Sequence, residues 1–287
     1  MNDDILSVIK ENMPAFSKGQ RRIASFILDS YDKAAFMTAS KLGQTVNVSE
    51  STVVRFAAEL GYDGYPSMQK SLQKMIRRRL TSVQRIEMAH DQIGNDVASS
   101  VLRSDISMIR STLEELDRDR FDQAVDEILN ARKIYILGVR SSSAISRFLA
   151  FYFNLIFENS CEIGTSNTVS ELFEQILRIG KDDVLISVSF PRYSSRTIKA
   201  MQYARDQGAK VITITDSLSS PVAESADITL TAKSDMASFV DSLVGPLSLV
   251  NALIVAVSQK RNQDVAVTFQ RLEQIWDEYE VYDKAGN

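Results

Sequence analysis

DVLISVSFPRYSSRT, residues 183–197, sets an apolar run directly before a cluster of hydroxyls and a cation. Val184, Leu185, Ile186 and Val188 lack the alternation of a half-exposed strand, so the run reads as a strand buried on both faces. Within nine residues come Ser187, Ser189, Arg192, Tyr193, Ser194 and Ser195, and then the helical SSRTIKAMQYARDQG. Working outward, the same order repeats. KIYILGV (133–139) precedes RSSS and the helical AISRFLAFYFNLIF. KVITITD (210–216) precedes a short helix opened by Ser220 and Pro221, a cap followed by a proline suited to the first turn. DITLTA (227–232) precedes a long apolar helix, and CEIG (161–164), before SELFEQILRI, supplies a fifth strand. Apolar strands alternating with helices predict an α/β domain with a five-stranded parallel sheet flanked by helices on both faces.

The first ~120 residues have a different rhythm, helical throughout. Ser17 and Gln20 have capping-box spacing, and Ile23, Phe26 and Ile27 then fall on one helical face. In ASKLGQTVNVSESTVVRFAAELGY (39–62) a short helix, 39–46, carries Leu42 inward and Gly43 where a second helix must come close. Asn47 takes a left-handed turn, Ser49 caps, and Val53, Val54, Phe56 and Leu60 form the next apolar face. This is the pattern of an all-α helix-turn-helix domain. The start of its second helix would enter a major groove, presenting Ser49, Glu50, Ser51, Thr52 and Arg55, with Arg55 suited to a guanine. Arg21, Arg22, Lys41, Lys70, Lys74 and Arg77–Arg79 would neutralise phosphates.

Charge divides in the same place. The chain of 287 residues has net charge −4. Residues 1–85 hold 13 Lys/Arg against 8 Asp/Glu, a net +5, which leaves −9 for the remainder. A basic module that meets a polyanion is thus joined to an acidic one. The expected organisation is a DNA-binding domain at 1–80, a helical connector at 81–120 and the α/β domain at 121–287. One cysteine, Cys161, forms no internal disulfide and suits a reducing cytoplasm. That lone cysteine and a lone histidine, His90, argue against a zinc site, and no metal is expected. No secretory signal opens the chain. The longest uncharged run, residues 242–259, contains Gly245, Pro246 and Asn251, so it reads as a core or subunit-interface helix and not a membrane span.

In an open parallel sheet, ligands bind beyond the carboxyl ends of the strands, where helix N-termini offer unpaired N–H groups and partial positive charge. GVRSSSA and SVSFPRYSS both stand at such a junction. Arg140, Ser141, Ser142, Ser187, Ser189, Arg192 and Ser194 are therefore the candidate ligand residues, hydroxyls and cations suited to a phosphorylated ligand. No Gly-Lys-Ser/Thr loop and no GxGxxG is present, which favours a small sugar phosphate over a nucleotide. No cofactor is expected. Catalysis would need a placed general base; His90 lies in the connector, and Glu162, Glu171, Glu174 and Glu224 are ordinary carboxylates, so no catalytic residue is assigned. A sugar-phosphate isomerase or lyase on the same fold is the alternative reading.

The run VSESTVVRFAAELGYDGYPSMQ (48–69), joined to a serine-rich α/β domain, resembles the RpiR (MurR) family of bacterial transcription regulators. The resemblance covers roughly residues 1–80 and 120–265, the latter as a SIS (sugar isomerase) domain. It implies a cytoplasmic homo-oligomer, dimer or tetramer, that binds a double-stranded operator and senses a phosphorylated sugar. It also places the phosphate-binding serine of the first loop at Ser142, and offers Ser187, Ser189 and Ser194 in the second. Two departures stand out: Arg140 replaces the usual second glycine of the first loop, and FPRY occupies the place of a glycine in the second. Both add bulk and positive charge, which favours a smaller or more acidic ligand.

Overall fold

Five strands, all parallel, form one sheet in the order β2–β1–β3–β4–β5 in the computed structural model, which describes residues 5–79, 83–86, 96–164, 168–236 and 239–282. The strands are β1 Lys133–Gly138, β2 Ser160–Ile163, β3 Asp183–Val188, β4 Lys210–Thr215 and β5 Ile228–Thr231. β3 is buried along its whole length, and β1 and β4 everywhere but at their first residues, Lys133 and Lys210, as their lack of alternation requires. One face is covered by a cluster that includes Ile134, Ile136, Ile186, Phe153 and Leu253, the other by Tyr135, Leu137, Leu185, Met201 and Ala204. Neighbouring residues of one strand thus serve opposite cores. Asp183 anchors the entry to β3: its buried carboxylate accepts from Arg132 Nη2 at 2.6 Å and from the Gly180 amide at 2.9 Å.

The chain divides into two compact units, residues 1–88 and 89–287. In the first, helices α1 Ile5–Asn12, α2 Lys18–Asp29, α3 Tyr31–Ala34, α4 Ala39–Val46, α5 Glu50–Glu59 and α6 Tyr65–Arg79 surround Ile9, Ile23, Ile27, Leu42, Val53, Phe56, Met68 and Leu72. The capping box at Ser17 and Gln20 is formed in both directions. Tyr65 is buried and donates to the Met37 carbonyl at 2.6 Å; burial pushes its pKa up to about 12.

In the second unit the sheet is preceded by α7 Val97–Glu114 and α8 Arg118–Asn130 and interleaved with α9 Ser143–Ile156, α10 Val169–Gln175 and α11 Ser195–Asp206. It is followed by α12 Val244–Lys260 and α13 Asn262–Glu278. Part of the expected connector, α7, is built into this unit, with Met108 and Thr112 buried. His90 lies outside the described residues. The helix expected after Ser220 is only a single 3-10 turn, Ala223–Ser225, because β5 follows at once. The long apolar helix is mostly core: Leu249, Val250, Leu253, Ile254 and Val257 are buried, while Leu247 and Val255 face outward. Among the described residues no helix is long and apolar enough to cross a membrane.

Candidate nucleic-acid interface and ligand pocket

In the first unit, α4 ends at Asn47, whose φ of 56° is the left-handed turn the sequence called for. A Cβ on Gly43 would lie 2.8 Å from the Val48 carbonyl oxygen, and the Val48 amide donates back to the Gly43 carbonyl at 2.9 Å. Glycine is what lets the two helices close. Ser49 then caps α5, accepting from the Thr52 amide, and its hydroxyl also lies 2.8 Å from that of Thr52. Thr52 is thereby half-buried and tied into the turn, whereas Glu50, Ser51, Arg55 and Ala58 form an exposed face. Arg55 lies back along the helix, its Nε donating to the Ser51 carbonyl at 3.2 Å.

Val54, assigned to the core from the sequence, is instead 41% exposed beside Ser51 and Arg55. The apolar face is carried by Val53, Phe56 and Ala57; the turn angle moves Val54 just past its edge. Arg21, Arg22, Lys41 and Lys70 are exposed, and Arg22 Nη1 donates to the Asn47 carbonyl at 3.3 Å. The expected cations Lys74, Arg77, Arg78 and Arg79 fall outside the side chains described. A shallow groove beside the turn is lined by Lys18, Arg21, Arg22, Thr45 and Asn47, setting cations next to the start of α2.

In the second unit, β1 and β3 lie side by side with Gly138 level with Val188, so the two serine-rich loops leave the sheet together. The chain passes from β1 outward to β2 and returns past β1 to β3, which makes this a topological switch point. A pocket of about 330 Å³ opens there, lined by Val139, Arg140, Ser141 and Ser142 from the first loop and by Ser189, Phe190, Pro191, Arg192 and Ser194 from the second. A Cβ on Gly138 would come within 2.7 Å of the Ser142 carbonyl oxygen, so glycine allows this tight reversal into α9.

Ser194 holds the N-cap position of α11 in extended backbone, yet its hydroxyl does not accept the helical N–H that such a serine usually takes; Ser142 ends a 3-10 turn, Arg140–Ser142, that runs straight into α9, and its hydroxyl caps no amide either. Both line the pocket, each at the positive end of a helix. Arg140 and Arg192 have φ of 57° and 65°, the left-handed conformation in which glycine is at ease and an L side chain is strained. The structure accounts in this way for the two unusual loop positions: the backbone keeps the glycine conformation, and a cation has been placed on it.

Ser187 is not in the pocket. It is fully buried inside β3, and its hydroxyl donates to Thr213 Oγ1 at 2.8 Å, the residue directly opposite on β4. Two positions of strand separate it from Ser189, which lies beyond the last sheet pair and reaches the opening. The remaining wall, Phe239, Val240, Asp241 and Leu243, was missed by sequence reasoning. SFVDSL carries no motif, and it meets the serine loops only through the fold. Of the carboxylates considered from sequence, Glu162 pairs with Arg147 at 3.5 Å and Glu174 accepts from Ser170 at 2.9 Å. None of the four lines the pocket; Asp241 does. Among the described residues no group of three or more His, Cys, Asp or Glu is placed to hold a metal.

Residues 3–78 match the model of the helix-turn-helix domain of the rpiR family, and residues 127–256 match that of the SIS domain. The HTH-type transcriptional regulator HexR of Pseudomonas aeruginosa is 23% identical, covering 94% of this chain and 95% of its own. HexR of Escherichia coli is 25% identical over 79% of this chain and 77% of its own. Among solved structures, the Vibrio vulnificus NanR protein complexed with ManNAc-6P superposes with a TM-score of 0.61 at 21% identity, covering 96% of this chain and 99% of that one. The sugar isomerase domain of an RpiR transcription factor from Sphaerobacter thermophilus gives 0.59 at 23% identity, over 63% of this chain and 99% of its own.

Proposed function

We propose, from the premise that the chain belongs to the rpiR family of helix-turn-helix proteins carrying a SIS domain, that it is a transcription regulator whose SIS domain senses a phosphorylated sugar. It acts in the cytoplasm as a homo-oligomer on double-stranded operator DNA. Residues 1–80 bind DNA, 81–120 connect, and 121–287 bind the ligand. The observation that carries the ligand reading is the pair of helix-start serines, Ser142 and Ser194, which line the pocket and whose hydroxyls cap neither helix. With Ser141, Ser189, Arg140 and Arg192 they supply rotatable donors and positive charge around one anion. The binding of ManNAc-6P by a protein of the same fold supports a sugar phosphate as the class.

On the DNA side, Ser49, Glu50, Ser51, Thr52 and Arg55 stand at the start of the recognition helix. Arg55 reads a base; the Ser51 hydroxyl reaches a base edge or a phosphate; the Glu50 carboxylate suits a cytosine amino group; exposed Val54 adds a surface for a thymine methyl. Thr52 and Ser49 chiefly hold the turn. Communication between ligand and DNA runs through α7. Asp105 accepts from Ser242 Oγ at 2.6 Å, and Ser242 lies between the pocket residues Asp241 and Leu243. The Lys233 amide donates to Thr112 Oγ1 at 2.9 Å. A ligand that binds one arrangement of this segment better than another shifts α7 with it, and hence the register of two recognition helices on one DNA face.

The protein is not an enzyme on this reading, because the described pocket residues set hydroxyls and cations around a single carboxylate, Asp241, without a second acid or base to pair with it. A thermal-shift screen of sugar phosphates against the matching free sugars tests the assignment. Saturation at about 100 times Kd adds roughly 2.7 kcal/mol, a shift of several degrees. A shift with a phosphorylated sugar and not its free form is expected. No shift across the panel, or turnover of the sugar that binds, overturns the sensor reading.

A further inference from the structure

Helix α7 is buried along Met108 and Thr112, yet Leu102, Ile106, Ile109 and Leu113 are 62%, 58%, 41% and 66% exposed. Their spacing of four, three and four residues sets them in one stripe, about a quarter of a turn from the buried edge. Alternating steps of three and four make the narrow seam of a two-helix coil, whereas a helix sunk in a core has a wider apolar face. Four large aliphatic side chains in one exposed row form a contiguous patch of the kind that marks an interaction surface.

We propose that this stripe is covered by the same stripe of a second copy of the chain, the two α7 helices running parallel about a two-fold axis. The stripe is self-complementary in length and chemistry. Its 4-3-4 spacing serves either direction, and the flanking charges choose between them. Parallel pairing sets each stripe residue against its own copy and brings Asp105 of one helix beside Arg110 of the other, five residues further on, on both sides of the axis. The bond from Ser242 holds the Asp105 carboxylate at the edge of the stripe, and a carboxylate accepts more than one such bond. Antiparallel pairing would set Leu102 against Leu113 and crowd Arg103 of one copy against Arg110 of the other. A parallel pair also has both helices begin at the same end, as reading two half-sites on one face of DNA demands. That last point rests on the regulator reading; the spacing and the charges do not.

The test is disulfide trapping in the full chain with Cys161→Ser as background. Leu102→Cys and Leu113→Cys are each oxidised alone and as a mixture. In the parallel pair each variant cross-links with itself, because seam positions face their own copies within disulfide reach. In an antiparallel pair the two copies of residue 102 stand about 16 Å apart along the axis, at 1.5 Å per residue, and only the mixture cross-links. Ile106→Arg should abolish the dimer in sedimentation velocity while its circular dichroism stays that of the parent and its melting temperature no longer rises with protein concentration. The proposal is wrong if the parent is monomeric, if cross-links form only in the mixture or not at all, or if Ile106→Arg remains a dimer. Sugar-phosphate shifts measured on the same samples score ligand binding separately from pairing.

Discussion

Arg140→Gly and Arg140→Ala remove the same cation and differ in one backbone term. At φ 57° a residue with a Cβ bears about 1–2 kcal/mol that glycine does not. Glycine gives back roughly 0.5–1 kcal/mol through the greater freedom of its unfolded chain. Arg140→Gly should therefore stabilise the unliganded SIS unit by up to about 1.5 kcal/mol, a rise of up to roughly 6 °C for a unit of this size. Arg140→Ala keeps the strain and should show no such rise. Both lose a charge-assisted bond to the ligand's phosphate, about 1.5–3 kcal/mol, so affinity should fall roughly ten- to a hundredfold. The assay is a melt of each variant without ligand, followed by calorimetric titration with the sugar phosphate found in the thermal screen. The glycine variant would then be the more stable protein and the poorer sensor. The reasoning fails if Arg140→Gly melts below Arg140→Ala, or if either binds as tightly as the parent.

Gly43→Ala pushes a methyl to 2.8 Å from the Val48 carbonyl and should cost the first unit about 1–3 kcal/mol, with loss of operator binding in a mobility-shift assay but no change in sugar-phosphate titration. Arg55→Ala should weaken specific DNA binding by about 1–3 kcal/mol and leave ligand affinity intact; equal loss of both would indicate misfolding instead. Ser189→Ala should lower ligand affinity without altering the unliganded melt, and unchanged affinity would remove Ser189 from the site. Tyr65 gives a pH dependence: below pH 10 it is neutral folded and unfolded, but between pH 10 and about 12 only the unfolded chain ionises. Stability of the first unit should fall across that window, and Tyr65→Phe should flatten the slope, since Gln69 Nε2 still donates to the Met37 carbonyl at 2.9 Å.

The sheet was readable because its central strands are buried on both faces, and only apolar β-formers meet that demand. The helix-turn-helix was readable because Gly43, Asn47 and Ser49 each answer a local geometric need. The pocket was half legible. Serines next to strand ends could be found by eye, but Ser187 has Thr213 of β4 directly opposite to take its hydroxyl, whereas Ser189 lies past the last paired residue and keeps only a backbone bond to Ile214. Val54 illustrates the same limit: a few tens of degrees around a helix separate a core valine from an exposed one. The Phe239–Leu243 wall is joined to the serine loops by tertiary structure alone, so nothing in its own residues announces it. Arg140 and Arg192 mark the opposite case, where an unexpected residue type became intelligible once its backbone angle was known.

Ser194 carries a last consequence. The first-turn amides of α11 have no partner within the helix, and the hydroxyl best placed to serve one does not. Nearby, Thr197 Oγ1 is buried with no bond of its own. A phosphate arriving here completes the helix as well as filling a pocket. Occupancy is then written into the backbone: amide exchange at the start of α11 should slow on binding by far more than at its C-terminal end. The helix becomes a built-in gauge of ligand, legible by mass spectrometry without a label.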